Sequence, residues 1–241
     1  MRPINHKIMK KLTLLTYALL LFSIHTRAQD AVRSQPEMGK ASFGIYGGIN
    51  FQNINGKDAG GDKLTNSLVT KFHIGVNEEL PIAPEFYFQV GIQFMGKGTK
   101  GNVQYIDDAG SHTITRKVNL NYLEMPLNLV YKPLVGSGHL ILGFGPYFGY
   151  AATGRTEFTG DFAPEDTDIQ FIKTAPQSDR NNLVYFKRLD VGANFMVGYQ
   201  FQNGINLVLN SQLGLVPINS KTESKLVNKN TGFGLSLGWR I

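Results

Sequence analysis

The final segment of the chain, KNTGFGLSLGWRI at residues 229–241, constrains the fold more than any other. Its alternate side chains are large and apolar: Phe233, Leu235, Leu237, Trp239 and Ile241. The side chains between them are small or polar: Gly232, Gly234, Ser236, Gly238 and Arg240. Because successive side chains of a strand point to opposite faces, one face is apolar and the other is crowded and weakly polar. A soluble sheet would carry Lys, Glu and Thr on its wet face, whereas a transmembrane β-barrel has lipid outside and a narrow interior. The pattern therefore predicts the closing strand of such a barrel.

Seven earlier segments alternate in the same way. They cover about residues 41–51, 70–80, 85–96, 117–132, 139–152, 187–201 and 205–216. Each reaches the roughly 9–11 residues that a tilted strand needs to cross a bilayer. Short turns follow the second, fourth and sixth segments, and long polar connections follow the others, as in bacterial outer-membrane barrels. We therefore expect an all-β fold: an eight-stranded antiparallel up-and-down transmembrane β-barrel over residues 41–241, in the outer membrane of a diderm bacterium with both termini periplasmic.

The N-terminal residues have the features of a targeting segment. Basic residues within 1–11 precede an apolar run at 12–24, and small residues flank Arg27. This predicts a secretory signal peptide at 1–28, with a retained amphipathic anchor as the alternative, followed by a polar periplasmic lead-in at 29–40. Removal of the signal peptide leaves 19 basic and 18 acidic residues, so the formal charge of +6 does not favour nucleic acid as a partner. The chain contains no Cys, which excludes a lipoprotein anchor, disulfides and a thiolate metal site.

Two features interrupt the regular alternation. Val118 and Leu120 fall on the polar parity of the fourth segment, which predicts a bulge there or a strand end that stands above the membrane. Pro126 and Pro146 lie within the fourth and fifth segments although proline removes a donor from the ladder. We therefore expect bulges and local kinks at both prolines.

Several ionisable residues fall on the interior parity of the predicted strands. The main ones are Glu79, Glu124, Asp190 and Arg240, and Lys132 and His73 join them. Buried charges must pair, and an eight-stranded interior is about wide enough to be filled by side chains. We expect a structural ion network in which Glu124 has a basic partner. The alternative is a catalytic or proton-handling group, but the carboxylates have no motif spacing.

The remaining residues give little sign of other chemistry. The acidic stretch from Glu157 to Asp168 lacks the spacing of a compact calcium loop, so a mobile solvated surface is the favoured interpretation. His112 and His139 are isolated, and no pair of residues has the spacing of a metal site. No nucleophile elbow or Ser, His and Asp set is apparent. We expect no catalytic, cofactor-binding or metal-binding residues and no enzyme activity.

The fourth and fifth segments resemble the PorT-like family of outer-membrane β-barrel proteins. The resemblance is carried by the stretches Tyr122-Leu123-Glu124-Met125-Pro126-Leu127 and Gly145-Pro146-Tyr147, together with Tyr131-Lys132. It implies an eight-stranded outer-membrane barrel. The founding member of that family belongs to a protein-secretion apparatus, so the resemblance also suggests a role in secretion.

Three functions fit this pattern. The first is a membrane-anchored interaction module that contacts partners through long extracellular loops without catalysis. The alternatives are a component of a protein-secretion apparatus and a narrow channel for small solutes, although eight strands leave little room for a pore. Outer-membrane lipid is an expected partner, and other envelope or secretion proteins are candidates. A soluble lipocalin-like carrier would instead turn the apolar parity inward.

Overall fold

A computed structural model describes residues 39–58, 60–107, 110–161, 163–176, 184–220 and 226–241. The predicted signal peptide at 1–28 and most of the predicted lead-in at 29–40 lie outside these residues. Within the described ranges, no helix combines the length and the apolar character that a membrane crossing requires.

Eight long strands form the wall of the molecule. They are β1 (Ser42–Lys57), β2 (Val69–Ala83), β3 (Phe86–Asp107), β4 (Gly110–Tyr131), β5 (Gly138–Thr159), β6 (Leu189–Gln200), β7 (Ile205–Gly214) and β8 (Val227–Arg240). Each strand pairs antiparallel with the next, and β8 returns to pair with β1 from Gly44↔Arg240 to Lys57↔Val227. The ring is therefore closed, which confirms the predicted eight-stranded up-and-down barrel.

The alternation of side chains along these strands separates an apolar outer wall from a polar interior. Leu235, Leu237 and Phe88 point outward and are 44%, 59% and 38% exposed, whereas Ser236 and Tyr147 point inward and are 5% and 0% exposed. The outer wall therefore suits a hydrocarbon solvent, and the lipocalin-like arrangement is excluded. Aromatic rings also pair at both ends of the wall, as in Phe86–Tyr131 and Phe72–Phe94.

The two ends of the barrel differ. The connections 84–85, 132–137 and 201–204 lie at one end, called here the turn end, together with the start of β1 and the end of β8. At the opposite end, called the hairpin end, β3 and β4 pair continuously from Gln93↔Glu124 as far as Asp107↔Gly110. The prediction of a loop at 97–116 is therefore wrong. This part of the hairpin extends beyond the apolar wall, so polar residues occur on both parities. The alternation that marks the other strands is therefore absent here.

The connection between β5 and β6 is more ordered than the predicted irregular stretch at 153–186. β5 itself extends to Thr159, and three two-residue strands follow at Thr167–Asp168, Gln170–Phe171 and Tyr185–Phe186. The first pairs with β5 and the other two pair with each other in parallel. This connection carries Ile169 and Phe186 inward, where they pack against Val118 and Leu120.

Val118 and Leu120 lie on the inward parity of β4, as Glu124 does, and both are buried. They are apolar because they face this apolar packing inside the barrel. The register does shift nearby, between Asn121↔Thr153 and Tyr122↔Ala151, so that one extra residue of β5 is accommodated. The bulge therefore changes the parity of β5, and the interior parity of β4 is unbroken.

The predicted bulges at Pro126 and Pro146 are wrong. The β3–β4 register is the same on both sides of Pro126, and Pro126 itself lies opposite Tyr147 of β5. Pro146 lies opposite Ala193 within an uninterrupted β5–β6 register. Some backbone pairs beside the prolines are lost, as expected where an N–H is missing. The pairs on either side of each gap keep the same register. The ring of Pro126 also has room, because it lies over Gly91, whose hypothetical Cβ would be 3.1 Å from Pro126 Cγ.

Candidate functional site

An ion cluster closes the interior near the turn end; it consists of Glu79, Lys132 and Arg240 and is called the turn-end cluster. Glu79 Oε2 lies 2.8 Å from Lys132 Nζ, and Glu79 Oε1 lies 3.0 Å from Arg240 Nη2. All three side chains are more than nine-tenths buried. Gln89 also donates to Glu79, and Arg240 donates to Asn77. In their ionised forms two cations surround one carboxylate, so the cluster carries a net charge of +1.

A second ion cluster lies farther toward the hairpin end; it consists of Lys97, Glu124 and Asp190 and is called the hairpin-end cluster. Lys97 Nζ lies 2.6 Å from Glu124 Oε1 and 2.9 Å from Asp190 Oδ2, and none of the three side chains is accessible to solvent. Here two carboxylates share one ammonium group, so the ionised cluster carries a net charge of −1. The two clusters therefore have opposite charge imbalances.

Amides satisfy the remaining acceptors of the hairpin-end cluster. Gln93 and Gln212 donate to Glu124 Oε2 at 2.8 and 3.0 Å, and Asn230 donates to Asp190 Oδ2 at 2.8 Å. Such hydrogen bonds offset the cost of removing charges from water, which would otherwise exceed the attraction between them. Tyr147 donates to Asp190 Oδ1 at 3.3 Å, so each carboxylate oxygen of the cluster has a donor.

A small cavity of about 70 Å³ with a mixed polar and apolar lining lies within the barrel. Glu79 and Arg240 of the turn-end cluster line it, as do Gln93 and Gln212, which donate to Glu124 of the hairpin-end cluster. Its lining includes Asn128, Asn194 and His73. Asn194 donates to Asn128, and Asn128 donates to Gln89, so an amide chain runs along the cavity. His73 Nε2 lies 2.7 Å from Ser236 Oγ. The cavity has the size and polarity to hold a few water molecules, but it is too small for a larger solute.

An apolar plug seals the interior above the hairpin-end cluster. Its members come from β1, β4 and β5 and from the connections around the hairpin end: Ile54, Val118, Leu120, Tyr122, Ala151, Ile169, Phe186 and Ile218. All are at most 5% exposed. The plug excludes water from Lys97 and its partners, so the interior is closed at three successive levels.

The predicted interior residues do face inward, but they do not form one network. Glu79 and Arg240 belong to the turn-end cluster with Lys132, whereas Glu124 and Asp190 belong to the hairpin-end cluster. His73 joins neither cluster and contacts neutral side chains. Sequence reasoning missed Lys97, the cation at the centre of the second cluster. Lys97 shares the inward parity of Gln93 and Met95, and this was the available signal. The signal was not used because residue 97 was assigned to a loop.

Three of the residues that carry the PorT-like resemblance surround Lys97, whereas Lys132 belongs to the turn-end cluster. Lys97 Nζ lies 5.3 Å from the ring centre of Tyr122 and 4.2 Å from that of Tyr147, and Glu124 is its ion partner. Gly145 allows β4 and β5 to approach, since a Cβ there would lie 1.9 Å from Leu127 O. Pro126 faces inward and Pro146 outward. Tyr122, Glu124 and Tyr147 of the motif therefore form part of the surroundings of one buried lysine.

The arrangement offers no obvious reactive group. Every charged member of the two clusters is engaged in an ion pair. Among the residues that the structure describes, no group of three His, Cys, Asp or Glu side chains could hold a metal ion.

A closed eight-stranded ring with an apolar outer wall and an interior filled by ion pairs defines a membrane-spanning β-barrel. More particularly, the chain belongs to the outer membrane protein beta-barrel domain family, whose sequence profile matches residues 28–220. It is therefore an outer-membrane β-barrel protein. Among solved structures it is similar to Ail, the attachment invasion locus protein of Yersinia pestis, in complex with the heparin analogue sucrose octasulfate. The identity is 12% and the TM-score 0.40, over 84% of this chain and 100% of that chain. A comparison with curated protein sequences finds no match.

Proposed function

We propose that this protein is a non-catalytic membrane anchor that displays the β3–β4 hairpin and the β5–β6 connection outside the cell as an interaction surface. In this proposal the turn end and both termini of the barrel are periplasmic, and the hairpin end is extracellular. The PorT-like resemblance extends the proposal to partners that are envelope proteins, including components of a secretion apparatus.

The closed interior is the observation that carries the proposal. The turn-end cluster, the hairpin-end cluster and the apolar plug block the barrel at three levels, and the cavity between the clusters is about 70 Å³. An eight-stranded barrel is already narrow enough for side chains to fill it. A pathway for solutes would require buried ion pairs to separate, so transport is disfavoured and the barrel acts as a support.

The β3–β4 hairpin is the most prominent feature that this support would present. β3 loses its pairing with β2 after His73↔Met95 and continues for 12 residues to Asp107, or about 40 Å of extended chain. A backbone bridge to Ser67 covers its free edge at Lys100. Beyond that bridge, no described residue pairs with this edge of β3. Unpaired N–H and C=O groups on such an edge can add a strand from a partner.

A hairpin deletion tests the proposal. Residues 101–116 would be replaced by Asn-Gly, joining Lys100 and Lys117, which are already opposite each other. Cross-linking in intact cells should capture an envelope partner with the full chain and lose it with the deletion, while both proteins remain inserted in the outer membrane. Capture that is unchanged by the deletion would contradict a role for the hairpin.

Single-channel recording separates the anchor from a solute channel. The purified barrel in a planar bilayer should show no steady conductance, because the two ion clusters remain closed. Steady conductance of the full chain would overturn the anchor assignment, whatever the result of cross-linking.

A further inference from the structure

Three lysines form a basic patch at the base of the hairpin: Lys71, Lys100 and Lys117. Lys100 and Lys117 are directly opposite each other in the β3–β4 register, and both lie on the parity that faces outward. The stem of Lys71 lies against Gly96, where a Cβ would be 3.2 Å from Lys71 Cβ. Its ammonium group donates a hydrogen bond to Asn119 Oδ1, on the same outward parity of β4. The three cations therefore occupy one region of the outer wall.

The patch contains more positive charge than the protein itself neutralises. Glu157 Oε2 lies 2.9 Å from Lys117 Nζ, with both side chains about two-fifths exposed. The hydrogen bond from Lys117 holds the pKa of the Glu157 carboxyl below its ordinary value. Within the described part of the chain, Lys71 and Lys100 form no ion pair. Like charges directly opposite each other on two strands repel, so this arrangement calls for an external anion.

The position of the patch indicates where that anion comes from. Phe72 directly precedes His73 and follows Lys71, and its ring is stacked on Phe94 at 5.4 Å between ring centres. Both rings belong to the apolar outer wall, and Phe72 is 58% exposed. Lys100 lies six residues beyond Phe94 in β3, which is about 20 Å along the strand and less along the tilted barrel axis. Lysine stems can reach back from there to the level of lipid head groups.

We propose that Lys71, Lys100 and Lys117 bind the phosphate groups of an anionic lipid in the leaflet around the hairpin end. Ammonium groups pair with phosphate oxygens, and the apolar wall below them would hold the acyl chains of the same lipid. Under the proposed orientation this leaflet is the outer one, so the assignment to the outer leaflet rests on the proposed function. The binding itself does not depend on the orientation.

Lipid retention by the purified full-length barrel tests the proposal. The barrel would be placed in nanodiscs of zwitterionic phosphatidylcholine that contain either phosphorylated lipid A or the same lipid A after removal of its phosphates. Native mass spectrometry would measure the lipid that stays bound. Lys71→Gln combined with Lys117→Gln should reduce retention of phosphorylated lipid A by about fivefold for each lysine removed. Retention of the dephosphorylated lipid should not change.

A matched pair of lysines provides the control. Lys57 and Lys229 lie on the outward parity of β1 and β8, on another side of the ring. The double variant Lys57→Gln and Lys229→Gln removes the same charge and should retain lipid normally. Glu157→Gln should instead increase retention, because it removes the carboxylate that pairs with Lys117.

Three results would overturn the proposal: equal losses in the test and control pairs, equal retention of the two forms of lipid A, or complete competition by inorganic phosphate. The last would indicate a site for small anions rather than a lipid site. Because nanodiscs expose both leaflets and contain no protein partner, a failure here is distinct from a failure of the cross-linking experiment.

Discussion

Lys97 Nζ lies 2.6 Å from Glu124 Oε1 although neither side chain has any contact with solvent. Asp190 approaches the same ammonium group at 2.9 Å, so the lysine is the sole cation of a cluster with two acids. Loss of the lysine and loss of one carboxylate should therefore have different effects on stability. Loss of the cation leaves two buried carboxylates without a partner, whereas loss of one carboxylate leaves a complete ion pair.

Substitution of Lys97 should therefore destabilise the barrel more than substitution of Glu124. Lys97→Met should lower the free energy of unfolding by about 3–5 kcal/mol, because it leaves buried charge without compensation. Glu124→Gln should cost clearly less, since Lys97 still pairs with Asp190. Urea unfolding of the barrel in lipid vesicles measures both values, with Lys173→Met as a surface control. Equal effects of the two substitutions would contradict the shared-lysine arrangement.

The turn-end cluster should show the reverse order. Glu79→Gln leaves Lys132 and Arg240 close together without a carboxylate, whereas Lys132→Met preserves the Arg240–Glu79 pair. We expect Glu79→Gln to cost about 3–5 kcal/mol and Lys132→Met to cost less. The same urea titration decides between them. A larger loss for Lys132→Met would contradict this order and would point to the cation–π contact of Lys132 with Tyr87, whose ring centre lies 5.2 Å from Lys132 Nζ.

Gly145 should not tolerate even a methyl group. A Cβ at this position would lie 1.9 Å from Leu127 O, and a main-chain atom cannot move aside as a flexible side chain can. Gly145→Ala should therefore destabilise the barrel by roughly 1–3 kcal/mol through strain between β4 and β5. Gly47→Ala is the control, because its Cβ would lie 3.3 Å from His73 O and needs only a small adjustment. Heat-modifiable mobility in electrophoresis would report folding of both variants.

The Lys117–Glu157 pair should respond to acid at a lower pH than an isolated glutamate. Because the folded-state pKa of Glu157 is depressed below its ordinary value of 4.5, its contribution is complete above that pH and is lost as the pH falls through the lower folded-state pKa. Partial exposure limits that contribution to less than about 1 kcal/mol. Carbon-13 NMR of the labelled carboxyl group would follow the titration. Lys117→Gln should move the midpoint upward, and an unchanged midpoint would exclude the lysine as its main cause.

The barrel itself was predictable because each strand is marked by the alternation of neighbouring residues in the sequence. Leu235 and Leu237 alternate with Gly234 and Ser236, and a period of two assigns each side chain to lipid or interior without knowledge of its neighbours. The direction of Glu124 follows from the same rule. The choice of its partner does not, because the ring brings together strands that are distant in the chain, as with Asp190 and Lys97.

The plug and the hairpin were not predictable for a different reason. Phe186 lies in a two-residue strand and Ile169 lies between two such strands, so neither belongs to a repeating pattern. Only the folded connection shows that they pack with Leu120. In the hairpin, polar residues occupy both parities. The alternation of apolar and polar residues that assigned Gln93 to the interior is therefore missing around Lys97. Alternation is informative only where the two sides of a strand meet different solvents.

The opposite charge imbalances of the two buried clusters bear on how the barrel is assembled. One cluster draws on β2, on β8 and on Lys132 just after β4, and the other on β3, β4 and β6. The charges of Glu79, Lys97, Glu124 and Lys132 balance once β5 has been added, and β6 then adds the unmatched Asp190. The charges balance again when β8 brings Arg240 and pairs with β1. Electrostatics thus penalises a sheet that contains β6 but lacks β8, and favours rapid closure of the ring once β6 has been added.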